Sequence, residues 1–329
     1  MSLTEQQQTT FQEPVLLDAD AFDHMLLQEF KPRTEQASLA IRSAVNTLAT
    51  QAMSATELIS DDTLNTLEAM IAAIDSKLSS QINAILHHPE LQKVESAWRG
   101  LHHLVSNTET DEKLKIRFFN ISKADLAQEL KKFKGAAWDQ SPVFKKIYEH
   151  EYGQFGGEPY GMMIADYYFD NSPPDVELLA SLAKISAAAH APLISGTAPG
   201  ALLMDSWREL ANPRELGKLF QTPEHAAWRN LRNSEDSRYV GLTLPRFLGR
   251  IPYGAKTAPV EEFNFEELTQ GDADNYLWVN AAYAMGLNVN RSFKQYGWCS
   301  QIRGIESGGA ISGLPVHTYP SEDGGVDTT

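Results

Sequence analysis

The sequence predicts an α/β protein with a mostly parallel or mixed sheet flanked by helices, preceded by an N-terminal all-helical region. Two observations support this fold class. Apolar residues recur every three or four positions through residues 20–105, as expected for one face of successive helices. After Asp111, short apolar or alternating runs are interleaved with helical patterns, and strand–helix–strand order favours right-handed crossovers and parallel pairing.

Composition narrows the class of function. The chain has 329 residues, of which 42% are hydrophobic, so it can bury a large core. Its 28 Lys and Arg face 43 Asp and Glu, and the net charge of −15 disfavours nucleic acid and anionic membranes as partners. No apolar run is long enough to span a bilayer and the N-terminus is polar, so we expect a cytoplasmic protein without membrane insertion.

The helical region divides into three parts. We expect residues 1–14 to be a disordered tail, because they are polar and rich in Gln and Thr. Residues 15–55 form N-terminal helices for partner binding, the second of them capped by Thr34. The apolar side of the first helix consists of Phe22, Met25, Leu26 and Phe30. The second helix has a narrow apolar seam that consists of Ile41, Val45, Leu48 and Ala52, and such seams favour a partner helix.

Residues 56–110 are long helices that join this region to the core. One helix spans residues 62–87, and another follows Pro89 over residues 91–105. On the second helix the apolar spacing places Trp98 on the face that must be buried, so we expect Trp98 to be a core anchor. Arg99 is expected to donate to a structural ion pair.

Residues 111–329 read as the α/β domain. Alternation over 114–119 predicts a half-buried strand, and the apolar run 160–169 predicts a central strand covered on both faces. Further strands are predicted at 192–196 and 239–244. Helices are predicted at 122–133, 142–153, 173–189, 204–210, 223–232 and 276–285. Residues 261–274 form an acidic loop, and glycines break regular structure over 297–315.

No catalytic set, cofactor site or metal site is encoded in a recognisable pattern. Residues 253–257 lack the glycine spacing and Gly-Lys pair of a phosphate loop, and the glycine-rich stretch 304–313 lacks the flanking strand and helix of a dinucleotide turn. Cys299 is expected to be a buried thiol. Asp166 lies in an apolar strand and needs a partner, which is either a strand-end cap or an arginine such as Arg246 or Arg250.

Three separated stretches carry a resemblance to a known family. They are VESAWRGL at 94–101 within the helix 91–105, LPRFLGRIPYG at 244–254, and WVNAAY at 278–283 followed by YGWC at 296–299 and IRG at 302–304. In this order they resemble the large subunit of the contractile sheath of bacterial type VI secretion systems, the TssC/VipB family. The resemblance covers residues 18–329.

This resemblance implies a structural protein and not an enzyme. Large subunits pair with a small subunit (TssB/VipA), polymerise with other sheath protomers around the Hcp inner tube, and are recycled by the AAA+ unfoldase ClpV. By position, the resemblance implies an unfoldase-binding set, which consists of Phe22, Met25, Leu26 and Phe30. It also implies a small-subunit interface, which consists of Ile41, Val45, Leu48 and Ala52. Family members continue past the equivalent of Asp327 into a further domain, so we expect a fragment of a longer protein.

Two other interpretations stay open at this stage. The first is an α/β enzyme or ligand-binding protein of unknown substrate that uses the sheet and the loop 304–313 as a crevice. The second is an adaptor that a chaperone recognises through residues 22–30 without any polymer. That short helix also has the alternative of packing on the chain's own core.

Overall fold

The computed structural model describes residues 24, 27, 28, 30–55, 63–210, 216–261, 263–320 and 326–328, and the side chains of 48, 49, 51–55, 63–67, 319, 320 and 326–328 lie outside this description. Two compact units divide the chain. The first comprises Met1–Ile82 with Glu261–Phe265, and the second comprises Asn83–Val260 with Glu266–Thr329. The predicted disordered tail, residues 1–14, lies outside the described residues.

The first unit is helical in its described part. Helix α1 spans Glu35–Ala55, and the hydroxyl of Thr34 caps it by accepting a hydrogen bond of 3.2 Å from the Ala37 amide, as predicted. Helix α2 spans Thr63–Leu86, and its last turn belongs to the second unit. Before α1, Lys31 has a positive φ of 43°, which ends the helical stretch that includes Phe30.

The second unit is built on a three-stranded parallel sheet. Strands β1 (Met163–Phe169), β2 (Leu193–Thr197) and β3 (Val240–Thr243) are hydrogen-bonded in the order β1-β2-β3. The parallel pairing is therefore confirmed. The prediction that the strand within 160–169 is central is wrong, because β2 occupies the middle and β1 pairs on one side only.

Helices cover both faces of β1, which explains why this strand is apolar despite lying at an edge. Helices α3 (Pro89–Ser106), α4 (Lys123–Lys132), α5 (Pro173–Ala189), α6 (Ala226–Arg232) and α7 (Ala281–Tyr296) belong to this unit. The side chains of Met163, Ala165 and Tyr167 pack on a core cluster that includes residues of α4, α5 and α6. Ile164, which alternation turns to the other face, packs on a second cluster formed with α3 and α7.

Two glycines allow α7 to approach its neighbours closely, Gly100 toward α3 and Gly286 toward β1. A side-chain carbon on Gly100 of α3 would lie 2.9 Å from Val279 Cγ1 and closer still to the ring of Tyr283. A side-chain carbon on Gly286 of α7 would overlap the side chain of Ile164. Any larger residue at these positions would have to push a packed side chain aside, so the two glycines set how closely α7 packs on α3 and on β1.

The remaining elements are short. Strands β4 (Phe247–Leu248) and β5 (Trp278–Val279) form an antiparallel pair, as do β6 (Thr318–Pro320) and β7 (Val326–Thr328). One helical stretch runs through Pro142–Phe144, Lys145–Glu149 and His150–Tyr152, and a further turn is Leu216–Leu219. The 3-10 turns are Gly135–Gln140, Pro199–Leu202, Trp207–Glu209, Pro223–His225, Glu235–Tyr239 and Ala273–Asn275.

Three predicted elements differ from the structure. The helix predicted at 204–210 is only the 3-10 turn Trp207–Glu209. Residues 114–119 alternate in burial, with Leu114 and Ile116 half-buried, but they join no ladder and Phe118 is exposed. The alternation reflects a segment that packs one side against the core but has no partner strand beside it. The helix predicted at 276–285 begins later, at Ala281, and continues to Tyr296, because Asn280 caps it after the short strand β5.

Candidate functional site

The predicted unfoldase-binding segment is described in part. His24, Leu27, Gln28 and Phe30 are helical, and Phe30 exposes 58% of its surface. Phe22, Met25 and Leu26 lie outside the described residues. The described part therefore presents an exposed aromatic side chain on a short helical stretch, and the assignment of this set to an unfoldase stays a prediction.

The predicted small-subunit seam lies on α1. Ile41 and Val45 are half-buried and stand one turn apart, whereas Ser43 and Thr47 on the same helix are exposed. The side chains of Leu48 and Ala52 lie outside the described residues. The burial of the two described positions fits the expected seam, and its use as a subunit interface stays a prediction.

Helix α3 packs through only part of the predicted apolar face: Leu101 and Leu104 contribute to the core, but Val94, Trp98 and Val105 do not. Gly100 and Leu104 are buried, and Ser96 Oγ donates a hydrogen bond of 2.7 Å to the carbonyl oxygen of Trp278. Trp98 is 63% exposed, so the prediction that it anchors the core is wrong. The helix carries two apolar stripes. The stripe that contains Gly100 and Leu104 packs on α7, because the missing side chain of Gly100 leaves room for the ring of Tyr283. The other stripe remains on the surface and consists of Val94, Trp98 and Val105.

A buried charge network holds α3 to the loop that follows β4. The guanidinium of Arg250, a residue only 9% exposed, donates from Nε to Glu95 Oε1 at 2.8 Å. The same group donates two further bonds to Glu267, of 2.5 and 3.1 Å. Glu267 also accepts the backbone N–H of Tyr253 at 3.0 Å. Each buried charge therefore has an opposite partner and directional hydrogen bonds.

The predicted ion-pair role of Arg99 is confirmed within this network. Arg99 Nε donates to Glu95 Oε1 at 2.7 Å, and its Nη2 donates to the hydroxyl of Tyr253 at 3.2 Å. Burial pushes the pKa of Glu95 upward, but the hydrogen bonds from Arg250 and Arg99 outweigh it and leave that pKa below its ordinary value. Glu95 is therefore a stable anion on the inner side of α3.

Asp166 is partnered by a hydroxyl and not by an arginine. Alternation along β1 turns its side chain toward α7, where Tyr283 Oη donates to Asp166 Oδ2 at 3.2 Å. Burial raises the pKa of Asp166, while hydrogen bonds from Tyr283 and Asn280 act in the opposite direction. The predicted pairing with Arg246 or Arg250 is wrong, since Arg250 is engaged by Glu95 and Glu267 and Arg246 stacks on Trp278 at 4.8 Å.

Asn280 is a positioning residue that sequence reasoning missed. It is fully buried, accepts from the Ala282 amide at 2.9 Å to cap α7, and donates to the carbonyl oxygen of Tyr167 in β1 at 2.9 Å. A side-chain carbon on Gly196 would lie 2.7 Å from its Oδ1, so the glycine makes room for this amide. An asparagine before a helical pattern signals a cap, but its link to the sheet is visible only in three dimensions.

Large apolar side chains are exposed on several surfaces of the second unit. They include Phe118, Phe155, Trp298 and Ile305 in addition to the exposed stripe of α3. Scattered exposed apolar residues are normal, but aromatic residues exposed in this number favour burial by another protein. The arrangement fits an assembly surface better than a reaction centre.

The described residues offer no centre for chemistry. No group of three or more His, Cys, Asp or Glu in that part of the chain is placed to hold a metal ion, and no described helix has the length and apolarity to cross a membrane. Burial raises the pKa of the half-buried Cys299 thiol, which opposes a nucleophilic role. In the loop 304–313, the carbonyl oxygens of Gly308 and Ala310 accept hydrogen bonds from Arg291 of α7.

Comparison with known proteins identifies the family. The VipB family model, described as the EvpB/VC_A0108 tail sheath N-terminal domain, matches residues 68–329. The chain belongs to this family. It is also 65% identical over 307 residues to the type VI secretion system sheath protein TssC1 of Pseudomonas aeruginosa strain PAO1. That alignment covers 93% of the chain but only 62% of the relative, so the chain spans about three fifths of that protein's length.

Replacing Arg250 by Met should strongly destabilise this VipB-family chain, because Glu95 and Glu267 would remain buried without a cation. Loss of one partner from a buried pair costs about 3–5 kcal/mol, measured as the free energy of unfolding in urea. The control is Lys93→Met on α3, which removes an exposed pair with Glu90. Equal losses in the two variants would contradict the importance of the buried network.

Asp166 should make stability fall as pH rises. Its pKa is raised in the folded state, so its favourable contribution is present at low pH and is lost as pH increases through that folded pKa. As pH rises above the ordinary Asp pKa of about 4, the stability of the wild type relative to Asp166→Asn should therefore decrease. Asp111→Asn is the control with the opposite sign, because the pKa of Asp111 is lowered to about 2. A pH-independent difference between wild type and Asp166→Asn would contradict this prediction.

Proposed function

We propose that the chain is the structural large subunit of the contractile sheath of a type VI secretion system and works in the cytoplasm without catalysing a reaction. The observation that carries the proposal is the 65% identity to a sheath protein, together with membership of the VipB family. The large apolar side chains exposed on the second unit support it. The chain spans about three fifths of that relative's length, so the role of the whole relative is carried over to this chain as a proposal.

The first proposed partner is the small sheath subunit, TssB/VipA, bound along α1. The seam consists of Ile41, Val45, Leu48 and Ala52. Ile41 and Val45 are half-buried and lie on one face of a helix of 21 residues, about 30 Å long at the usual rise per residue. Such a stripe suits packing against helices of a second protein.

The second proposed partner is the AAA+ unfoldase ClpV, bound through the helical segment before α1. The proposed contact residues are Phe22, Met25, Leu26 and Phe30. The exposure of Leu27 and Phe30 supports this proposal, since a short amphipathic helix is recognised by laying its apolar side into a groove of a partner. Unfoldase binding would recycle protomers from a used polymer.

The polymer itself is proposed to be a helical sleeve around an inner tube of Hcp. Contacts that join one surface of a protomer to a different surface of the next produce open helical assemblies. The separate exposed sets on α3, near Phe155 and near Trp298 provide several surfaces for such contacts.

Charge introduced into the seam should abolish small-subunit pairing. In the full-length protein, Ile41→Asp with Val45→Asp would bury two carboxylates in the interface, and the small subunit should no longer co-purify. Ser43→Asp with Thr47→Asp, at exposed positions of the same helix, is the matched control and should pair normally. If the seam variant still co-purifies and forms tubular polymers by negative-stain microscopy, the proposed interface is wrong.

Charge introduced into the N-terminal segment should block the unfoldase and leave the small subunit bound. We expect Phe22→Glu with Leu26→Glu to lose binding to the unfoldase in a pull-down, while co-purification with the small subunit is unchanged. The control is His24→Glu with Gln28→Glu, which changes two exposed positions of the same segment. Retained unfoldase binding by the first variant, or its loss in both variants, would argue against the assigned contact residues.

A further inference from the structure

A groove between α4 and α5 is not used by any role proposed above. It holds a cavity of about 220 Å³ that is open to solvent. Its floor is formed by the buried side chains of Leu130 and Ile185, and its walls are the half-buried rings of Phe133 and Trp138. The helices and the 3-10 turn Gly135–Gln140 that shape it belong to the same compact unit.

The rim of this groove is basic in a strongly acidic protein. Lys134 and Lys184 line the opening, and Lys131 lies near enough to help lower the pKa of Glu177 on α5. Glu177 is the acidic residue among those that line the groove, and it pairs with Lys134. Two lysines and one glutamate line the groove and Lys131 lies near that glutamate, so the rim is positive, whereas the whole chain has a net charge of −15.

The size of the cavity indicates what kind of occupant it fits. Pockets for small-molecule ligands usually measure about 300–1,000 Å³, so a cavity of 220 Å³ is too small for most of them. A pocket of this size with apolar and charged lining residues instead suits one or two anchor side chains of a polypeptide, and the lysine rim favours a polypeptide that carries carboxylates.

One stretch of this chain has that composition. Residues 11–30 contain five carboxylates, no Lys or Arg, and apolar residues that include Phe22, Leu26 and Phe30. The acidic apolar stretch 261–268 is a weaker match, because Phe265 and Glu267 are already buried. Leu27 and Phe30, at the end of the first stretch, are exposed.

We propose that the groove between α4 and α5 binds residues 11–30 of a second copy of this chain. The apolar side chains of the segment enter the cavity, and its carboxylates face Lys131, Lys134 and Lys184. The inference rests on the proposed sheath function, because it is the polymer that places a second copy beside the first. A contact of this kind joins unlike surfaces and so extends an open assembly.

Photo-crosslinking between two tagged copies of the full-length protein tests this inference, with both copies co-expressed with the small subunit. The donor copy carries Phe30→p-benzoylphenylalanine. We expect its crosslinks, mapped by mass spectrometry, to fall in residues 130–138 or 177–185 of the acceptor copy. In an acceptor with Lys131→Glu and Lys184→Glu, the yield should fall about fivefold through loss of two exposed ion pairs.

The matched control acceptor carries Lys113→Glu and Lys256→Glu, two exposed lysines outside the groove with the same change in charge. Its crosslinking yield should be unchanged. A donor with Asp23→Lys and Glu29→Lys should restore crosslinking to the groove variant. The proposal is overturned by crosslinks to other surfaces, by crosslinks within one copy only, or by equal yields in the two acceptors.

The same samples separate this inference from the sheath proposal. Tubular polymers in negative stain without a groove crosslink would refute the groove contact and leave the sheath function standing. A groove crosslink without polymers would support the groove contact and refute the sheath function. If the groove variant instead loses the small subunit, the groove belongs to that partner and the inference is wrong.

Discussion

The second unit depends on burying Arg250 between Glu95 and Glu267. The arginine and Glu95 are separated by 155 positions in the sequence, so their contact ties the helix α3 to the loop after β4. A buried charge without a partner is costly, and rotation of α3 about its axis would withdraw Glu95 from Arg250. The network therefore selects the orientation of α3, and packing at Gly100 then sets its distance from α7.

This orientation explains the exposed stripe of α3. With Gly100 and Leu104 buried and Glu95 held at the flank of the helix, Val94 and Trp98 lie on the outer side whatever their hydrophobicity. Exposing a tryptophan forfeits the free energy of its burial in an isolated subunit. That cost is recovered only if another surface covers it, which is why the stripe is better explained by assembly than by the fold of one chain.

Sequence periodicity located most of the fold, and its failures have physical causes. The helix Pro173–Ala189 and the cap by Ser122 follow from local chemistry and agree with the structure. The face of α3 was mispredicted because hydrophobicity ranks Trp98 above Gly100, although close packing favours the smaller residue. The strand at 114–119 was mispredicted because alternation reports burial and says nothing about a partner strand. The order of the strands and the partner of Asp166 depend on contacts between residues far apart in the sequence, so local patterns could not predict them.

The two buried carboxylates differ in how their contacts depend on pH. Glu95 is held as an anion by two guanidinium groups, so the position of α3 does not depend on a proton. Asp166 meets only neutral donors, from Tyr283 and Asn280, and its raised pKa means that α7 and β1 meet most favourably when it is protonated. A surface on a helix that is held by ion pairs such as those of Glu95 is already ordered in the free protein. Less conformational entropy is then lost when a partner binds. The apolar stripe of α3 is such a surface, because Glu95, whose ion pairs orient the helix, lies beside the stripe, three residues from Trp98.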